Sequence, residues 1–155
     1  MKPPSLPTPY TALLADIRQR IGQAQTRAVL AVNAELIRLY WEIGQILDAR
    51  QKTEGWGAAV IPKLALDIRN ELPEEKGFSE RNIKLMVQFY REYPALFAAV
   101  PIGQPVVAQL PVAQIPWAHN VVLMQKVKDT RIRQWYAKAV ITHGWSRNVL
   151  RVRQG

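Results

Sequence analysis

The segment GWGAAVIPKLALDIRNELPEEKGFSERNIKLMVQFYREY, residues 55–93, decides the fold. Apolar residues recur at helical spacing over residues 58–72, and Pro73 then disfavours helix in the residue before it. Ser79 is suited to cap a second helix, because its hydroxyl can accept a hydrogen bond from a free backbone N–H. Phe78 and Ile83 stand where a hydrophobic staple would close over that cap. The segment therefore predicts two helices joined by a short connection, in the manner of a helix-turn-helix.

The second of these helices has two different faces. One face is apolar, and the opposite strip carries four long side chains that donate hydrogen bonds. They are Arg81, Lys84, Gln88 and Arg91. A row of donors suits phosphate oxygens and the acceptor edges of purines, whereas many surface helices carry such residues only as a solvated face. We take this strip of donors as a candidate nucleic-acid contact, with the solvated face as the alternative.

Basic residues are concentrated near the C-terminus. Residues 126–153 hold eight of them against Asp129 alone, which accounts for +7 of the net charge of +9. They are Lys126, Lys128, Arg131, Arg133, Lys138, Arg147, Arg151 and Arg153, and the first seven are taken as candidate nucleic-acid-binding residues. A surplus of this kind favours a polyanionic partner, nucleic acid first. An acidic protein or an anionic membrane surface would satisfy the same charge.

The composition limits the chemistry. The chain has 155 residues, enough for one domain with a sizeable core. It has no cysteine, and its two histidines, His119 and His143, are more readily structural than ligands of a zinc site. No apolar run approaches the roughly 20 residues that span a bilayer, and residues 1–10 lack the apolar centre of a signal peptide. We expect a cytoplasmic protein without a cofactor, with a flexible tail over residues 1–10 and a single domain over residues 11–155.

A long helical pattern precedes the opening segment. From Thr11 to Arg50, apolar residues recur every three or four positions and continue past Gly22. At about 1.5 Å per residue the helix would approach 60 Å, more than a compact domain of this size needs. We expect it to bend near Gly22 or to pack its first half on another chain. Its second half is rich enough in apolar residues to be buried on most sides.

The remainder of the chain predicts shorter elements. Five prolines within residues 94–116 exclude a long helix, and the lack of charge there argues against a solvated linker. Helices follow over residues 117–128 and after a cap at Asp129 or Thr130. The residues of the second helix that are expected to point inward are Ile132, Trp135, Tyr136, Ala139 and Val140. The stretch GWSRN, residues 144–148, then repeats the capping pattern of GFSERN, residues 77–82. The prediction is an all-α domain in which a long N-terminal helix supports two helix-turn-helix-like units.

A catalytic set is not found in the sequence. A glycine-rich phosphate loop, a nucleophile with its base, and metal-ligand spacing are all missing. Residues 74–76, Glu-Glu-Lys, match the end of the PD-(D/E)xK nuclease pattern. They follow a helix-stopping proline instead of lying on a strand, so we interpret the match as chance. We therefore expect no enzyme activity from these residues.

Five motifs together resemble a known family. AVNAELIRLYWEIGQIL, GWG, GFSERN, IPWAHN and GWSRNVL follow one another as in the N-terminal domain of YhcG-type bacterial proteins, over about residues 13–152. In that family an all-helical domain precedes a PD-(D/E)xK nuclease-like domain and is thought to bind DNA or to assist assembly. Two departures concern Ala118, where glycine is expected, and the prolines 101, 105 and 111 in a segment that is usually more helical. The nuclease portion is absent from these 155 residues, so no catalytic residue is carried over.

These observations predict a non-catalytic DNA-binding domain, the targeting half of a nuclease-family protein. The alternative is an oligomerisation or assembly module that binds a protein partner, in which the long helix self-associates and the charge serves solubility or an acidic partner. The expected partners are DNA, a second copy through the N-terminal helix, and the C-terminal nuclease domain in longer relatives. A membrane is not expected among them.

Overall fold

The computed structural model describes residues 8–56, 59–98, 101, 103 and 110–154, and every regular element among them is helical. The α-helices are α1 (Thr8–Glu54), α2 (Val60–Glu71), α3 (Glu80–Glu92), α4 (Trp117–Lys126), α5 (Thr130–His143) and α6 (Arg147–Gln154). A short 3-10 helix, Pro111–Ala113, precedes α4. The predicted all-α class with a long N-terminal helix is confirmed.

Helix α1 is uninterrupted over 47 residues, about 70 Å at 1.5 Å per residue. It passes through Gly22 without ending. Residues 9–29 are exposed along their whole length, and burial begins only from Leu30 onward. The helix starts at Thr8, inside the predicted tail, and residues 1–7 lie outside the described residues.

The body of the domain forms where the second half of α1 packs against α3. Gly44 makes the close approach possible, because a Cβ at this position would lie 2.2 Å from the carbonyl oxygen of Met86. Ile37 and Trp41 of α1 belong to the same buried core as Phe89 of α3. The apolar area removed from water at this crossing stabilises the fold by roughly 25 cal/mol per Å².

The second half of α1 differs from its prediction. It is buried on one face only, where Ile37, Tyr40 and Trp41 contact the body. The apolar residues on the opposite side remain exposed: Val32, Leu36, Leu39 and Ile46. The expectation that this half is buried on most sides is wrong, because the body packs against a single side of the helix. Helix α1 therefore has two apolar faces, one of them open.

The helices of the α2–α3 unit end and begin where the sequence predicts. Helix α2 ends at Glu71, ahead of Pro73. The Ser79 hydroxyl accepts the N–H of Asn82 at 3.1 Å and caps α3. Phe78 packs on the cluster that contains Ile83, as the staple requires. These local predictions are confirmed.

The C-terminal part packs on this scaffold through short elements. Phe97, Val112 and Ile115 are buried in the main core, as expected for a proline-rich segment that packs on the body. Residues 99, 100, 102 and 104–109 of that segment lie outside the described residues. Asp129 caps α5, and Ser146 accepts the N–H of Val149 at 3.3 Å at the start of α6. The predicted capping pattern at both helices is confirmed.

Helix α5 presents only part of its predicted face to the core: Ala139 and Val140 are buried as expected, and Tyr136 packs against the core. Ile132 and Trp135, expected inside, are exposed, whereas Arg133 and Ala137 are buried. The physical reason is non-local. The Arg133 guanidinium finds hydrogen-bond partners on the segment before α5 and at the end of α3, and these partners fix the rotation of the helix.

Candidate nucleic-acid interface

The predicted row of donors on α3, which we call the α3 strip, lies at the surface; its members are Arg81, Lys84, Gln88 and Arg91. Arg81, Lys84 and Gln88 are exposed. The apolar residues of the other face of the helix are buried: Ile83, Leu85, Met86, Val87 and Phe89. Together with Ser79 the first three residues of the strip line a shallow depression. Lys84 Nζ lies 2.9 Å from a carboxylate oxygen of Glu80. An exposed pair of this kind is worth little, so the lysine can exchange its partner for a phosphate.

Arg91, the fourth residue of the strip, is tied to α1. Its Nε donates to Asp48 Oδ1 at 2.7 Å, and its Nη2 donates to Gln51 Oε1 at 3.2 Å. The Asp48 carboxylate is buried and also accepts from Lys52 at 3.0 Å. The hydrogen bond from Arg91 holds the pKa of Asp48 below its usual value; burial opposes this, and Lys52 adds to it. Arg91 therefore links α3 to α1 and is not a free cation.

Asp48→Asn is expected to lower the free energy of unfolding by about 1–2 kcal/mol at neutral pH, because two cations lose a charged acceptor. The folded-state pKa of Asp48 is depressed, so its contribution is present above the unfolded pKa of about 3.9 and is lost as the pH falls through the lower folded value. Urea unfolding measured at pH 7 and well below pH 4 checks this. The difference between the variant and the wild type should shrink in acid.

The matched control for this experiment is Asp67→Asn. Asp67 pairs with Lys63 at 3.0 Å on the outer surface of α2, and both side chains are largely exposed. Removing this pair should leave stability within about 0.5 kcal/mol at either pH. An Asp48→Asn deficit of equal size at both pH values would contradict the assignment.

Most of the basic residues near the C-terminus are available at the surface. We call them the C-terminal cations: Lys126, Lys128, Arg131, Lys138, Arg147, Arg151 and Arg153, all exposed. Arg131 approaches Asp129 at 3.9 Å, and the Arg153 guanidinium lies 5.3 Å from the centre of the Trp145 ring. Within the described ranges, the other five have no hydrogen-bond or ion-pair partner. They are therefore free to meet anionic groups.

Arg133 is not one of the C-terminal cations. Its side chain is 2% exposed, donates to the hydroxyl of Tyr93 at 3.3 Å and to the carbonyl of Val127, and pairs with Glu92. Burial alone would lower the pKa of the Arg133 guanidinium, but the hydrogen bonds to Tyr93 and Glu92 outweigh it and raise that pKa. The prediction that Arg133 contacts nucleic acid is wrong, because its donors are already used inside the protein.

Trp135 is a surface residue that the sequence interpretation missed. It is 63% exposed on α5, with Arg131 about one turn before it and Lys138 about one turn after it. An exposed indole between two cations is the kind of platform on which nucleobases stack. The spacing of the two basic residues around the tryptophan was the available signal. The apolar character of the ring had argued for the core.

Three of the motifs, GFSERN, IPWAHN and GWSRN, contact one another across different helices. Trp117 Nε1 of IPWAHN donates to Asn82 Oδ1 of GFSERN at 2.8 Å. The His119 Nε2 atom of IPWAHN lies 2.8 Å from the carbonyl oxygen of Trp145 in GWSRN. Asn120 donates to the carbonyl of Val112 at 2.8 Å and is buried. We conclude that these motif residues hold the helices together, and that they are distinct from the exposed cations.

The described ranges also bear on metal binding and on membrane insertion. Within them, no group of three or more His, Cys, Asp or Glu side chains is placed to hold a metal ion. Glu74, Glu75 and Lys76 lie in the connection between α2 and α3, so the nuclease-like triplet is in a loop, as predicted. A helix of the length and hydropathy that a bilayer requires is not found in the same residues.

Fold and surface together define a class of protein: an all-helical domain with two capped helix pairs and a surface rich in exposed cations. The family described as the DUF1016 N-terminal domain matches residues 16–154, and the chain belongs to that family. This is the N-terminal domain of the YhcG-type proteins, as the five motifs predicted. No curated protein and no solved structure matches the chain.

Proposed function

We propose that this domain binds DNA without cutting it, as the targeting half of a longer, cytoplasmic nuclease-family protein. The observation that carries the proposal is the exposure of the C-terminal cations. Seven exposed cations against Asp129 alone leave +6 on residues 126–153, even without Arg133. Cations placed on phosphates release condensed counterions from the duplex, and this release would supply most of the affinity.

The α3 strip has a secondary role in this proposal. Helix α3 is enclosed by α1 and α2 and exposes one edge, so it can lie along a groove but cannot enter it deeply. Arg81 and Gln88 are the strip residues without a partner in the described part of the chain. Both have side chains long enough for bidentate contacts with purine edges. The strip would therefore add sequence preference to affinity that the C-terminal cations provide.

Trp135 favours nucleic acid over an acidic protein as the partner. Lysines and arginines alone suit any polyanion. An indole that is exposed between Arg131 and Lys138 adds a flat apolar surface to two phosphate-binding groups. Nucleic acid is the polyanion that offers aromatic faces next to its charges, so this combination supports the proposal.

Two double substitutions test the proposal. Arg131→Ala with Lys138→Ala is expected to weaken binding to all duplex sequences alike. It should flatten the plot of log K against log salt concentration by about two units, since each lost phosphate contact removes about one. Arg81→Ala with Gln88→Ala is expected to cost selected sites about 1–3 kcal/mol per lost bidentate contact, relative to random DNA. Fluorescence anisotropy on both kinds of duplex at several salt concentrations measures these effects.

The matched control removes the same charge elsewhere. Lys63→Ala with Arg69→Ala takes two exposed cations from α2 and should leave both affinity and salt slope close to wild type. Wild-type binding by both test variants, or an equal loss in the control, would show that the chosen surfaces do not bind DNA. Plasmid incubated with magnesium or manganese should remain uncut. Cutting that disappears on Glu75→Gln with Lys76→Ala would contradict the non-catalytic part.

A second candidate function, assembly, is favoured by a separate observation. The open apolar face of α1 is on the opposite side of the helix from the body and involves none of the C-terminal cations. Self-association and DNA binding use different residues, so the two functions are compatible in one domain.

A further inference from the structure

Helix α1 carries a continuous apolar stripe that nothing in the described chain covers. Its members are Leu14, Ile17, Ile21, Ala24, Val29, Val32, Leu36 and Leu39, and all eight are exposed. They recur every three to five residues and extend over about 38 Å. Val29, although exposed, also borders a cleft that α1 forms with residues 114–116 and 140–145 of the body. Single exposed apolar residues are ordinary on protein surfaces, but a contiguous stripe of this length marks an interaction site.

The spacing of this apolar stripe reads the same in both directions. Its successive steps are 3, 4, 3, 5, 3, 4 and 3 residues, and one further step of four at each end reaches Tyr10 and Ile43. An antiparallel copy of the helix, aligned on the midpoint of the stripe, matches positions whose numbers add up to 53. Leu14 then faces Leu39, Ile17 faces Leu36, Ile21 faces Val32, and Ala24 faces Val29. Every apolar residue of the stripe meets an apolar residue.

We propose that α1 pairs with α1 of a second copy in antiparallel orientation, with the twofold axis between Thr26 and Arg27. The free first half of each helix, residues 9–29, would lie along the outer face of the other copy's second half. Each body packs on another face of its own helix, through Ile37 and Trp41. Sixteen apolar side chains are then removed from water along one seam.

Charges beside the apolar stripe favour the antiparallel orientation. Arg20 and Glu35 are both exposed and lie on the same edge of α1; Arg20 also contacts Asp16 of its own helix at 3.1 Å. Antiparallel pairing brings Arg20 to within about 3 Å, along the axis, of Glu35 in the second copy. Parallel pairing would instead set like charges side by side and would bring together two bodies from chains of net charge +9. Antiparallel pairing also brings Arg27 of one copy close to Arg27 of the other. This side chain is exposed, so solvent weakens the repulsion between the two charges.

The first test is the mass in solution. Light scattering on the whole chain, from low to high micromolar concentration, is expected to show a dimer. Val32→Asp sets a carboxylate against Ile21 twice in each dimer and should weaken dimerisation at least about 100-fold. The control Leu72→Asp changes an exposed leucine on the α2–α3 connection and should remain dimeric. A monomer mass for the wild type at every concentration, or equal loss in both variants, overturns the proposal.

The second test is the orientation of the two helices, for which the cysteine-free sequence is convenient. Leu14→Cys and Leu39→Cys are expected to cross-link with a short bismaleimide only when the two variants are mixed. In the antiparallel dimer, position 14 of one copy lies about 38 Å from position 14 of the other. Efficient cross-linking of Leu14→Cys alone would show a parallel pair and would overturn the proposal.

The third test concerns the register. Arg20→Glu and Glu35→Arg should each weaken dimerisation about 2–10-fold, as expected for a lost surface ion pair replaced by a like-charge contact. The double variant exchanges the two charges and should recover most of the wild-type dimerisation. A double variant weaker than either single variant would place these two residues apart and would refute the register. None of these outcomes depends on whether the domain binds DNA.

Discussion

Gly44→Ala is expected to lower the free energy of unfolding by about 3 kcal/mol or more. The new Cβ would lie 2.2 Å from the carbonyl oxygen of Met86 and 2.8 Å from its carbonyl carbon. Both atoms belong to the backbone of α3, so no side chain can turn away to make room. Helices α1 and α3 would have to separate along their main contact. The loss of stability should therefore reach or exceed the upper end of the range that overpacking usually causes. Thermal and urea unfolding measure the loss.

Gly22→Ala is the matched control, since it adds the same methyl group to the same helix. A Cβ at Gly22 meets nothing within 4 Å. Alanine is the better helix former, so this variant should gain about 0.5–1 kcal/mol. The two glycine variants are thus expected to shift stability in opposite directions. A Gly44→Ala protein with wild-type stability would show that α1 and α3 do not approach as closely as described.

Arg133→Ala is expected to destabilise the fold by about 3 kcal/mol, because it leaves the hydroxyl of Tyr93, the carbonyl of Val127 and the carboxylate of Glu92 without their donor. Arg133→Lys keeps the charge but loses the planar fork and should recover only part of the stability. Urea unfolding gives the stability, and DNA titration of the folded fraction gives the affinity. We expect the affinity per folded molecule to remain near that of the wild type.

The control for Arg133 is its exposed neighbour Arg131. Arg131→Ala should change stability by no more than about 0.5 kcal/mol while it lowers DNA affinity. These two arginines, two positions apart in the sequence, would thus separate a structural role from a binding role. An Arg133→Ala protein that is as stable as the wild type but binds DNA poorly would return Arg133 to the interface.

Much of the fold was predictable because its signals are local. Pro73 ends α2, Ser79 and Ser146 cap the helices that follow them, and Asp129 caps α5. Each signal involves residues at most four positions apart, so the sequence displays it directly. The long apolar repeat of α1 was legible for the same reason. The number, order and approximate ends of the helices followed from such signals.

The role of individual arginines was not predictable, because it depends on distant partners. Arg133 is buried through Glu92 and Tyr93, and Tyr93 lies 40 residues earlier in the chain. Arg91 is held by Asp48, 43 residues earlier in the chain. A basic residue next to other basic residues gives no local sign of such a partner. For this reason the candidate surface retained most of its cations but lost Arg133 and, in effect, Arg91.

The bonds that join GFSERN, IPWAHN and GWSRN to one another have a practical consequence for mutational scanning. A screen that scores DNA binding in cells would report Asn82, Trp117 and His119 as sensitive positions, because their loss unlocks the packing of several helices at once. Single losses among the C-terminal cations would score as mild, since several neighbours share the phosphates. The screen would therefore detect the residues that hold the helices together and would underestimate the residues that contact DNA. Dividing each variant's score by the amount of folded protein removes this bias.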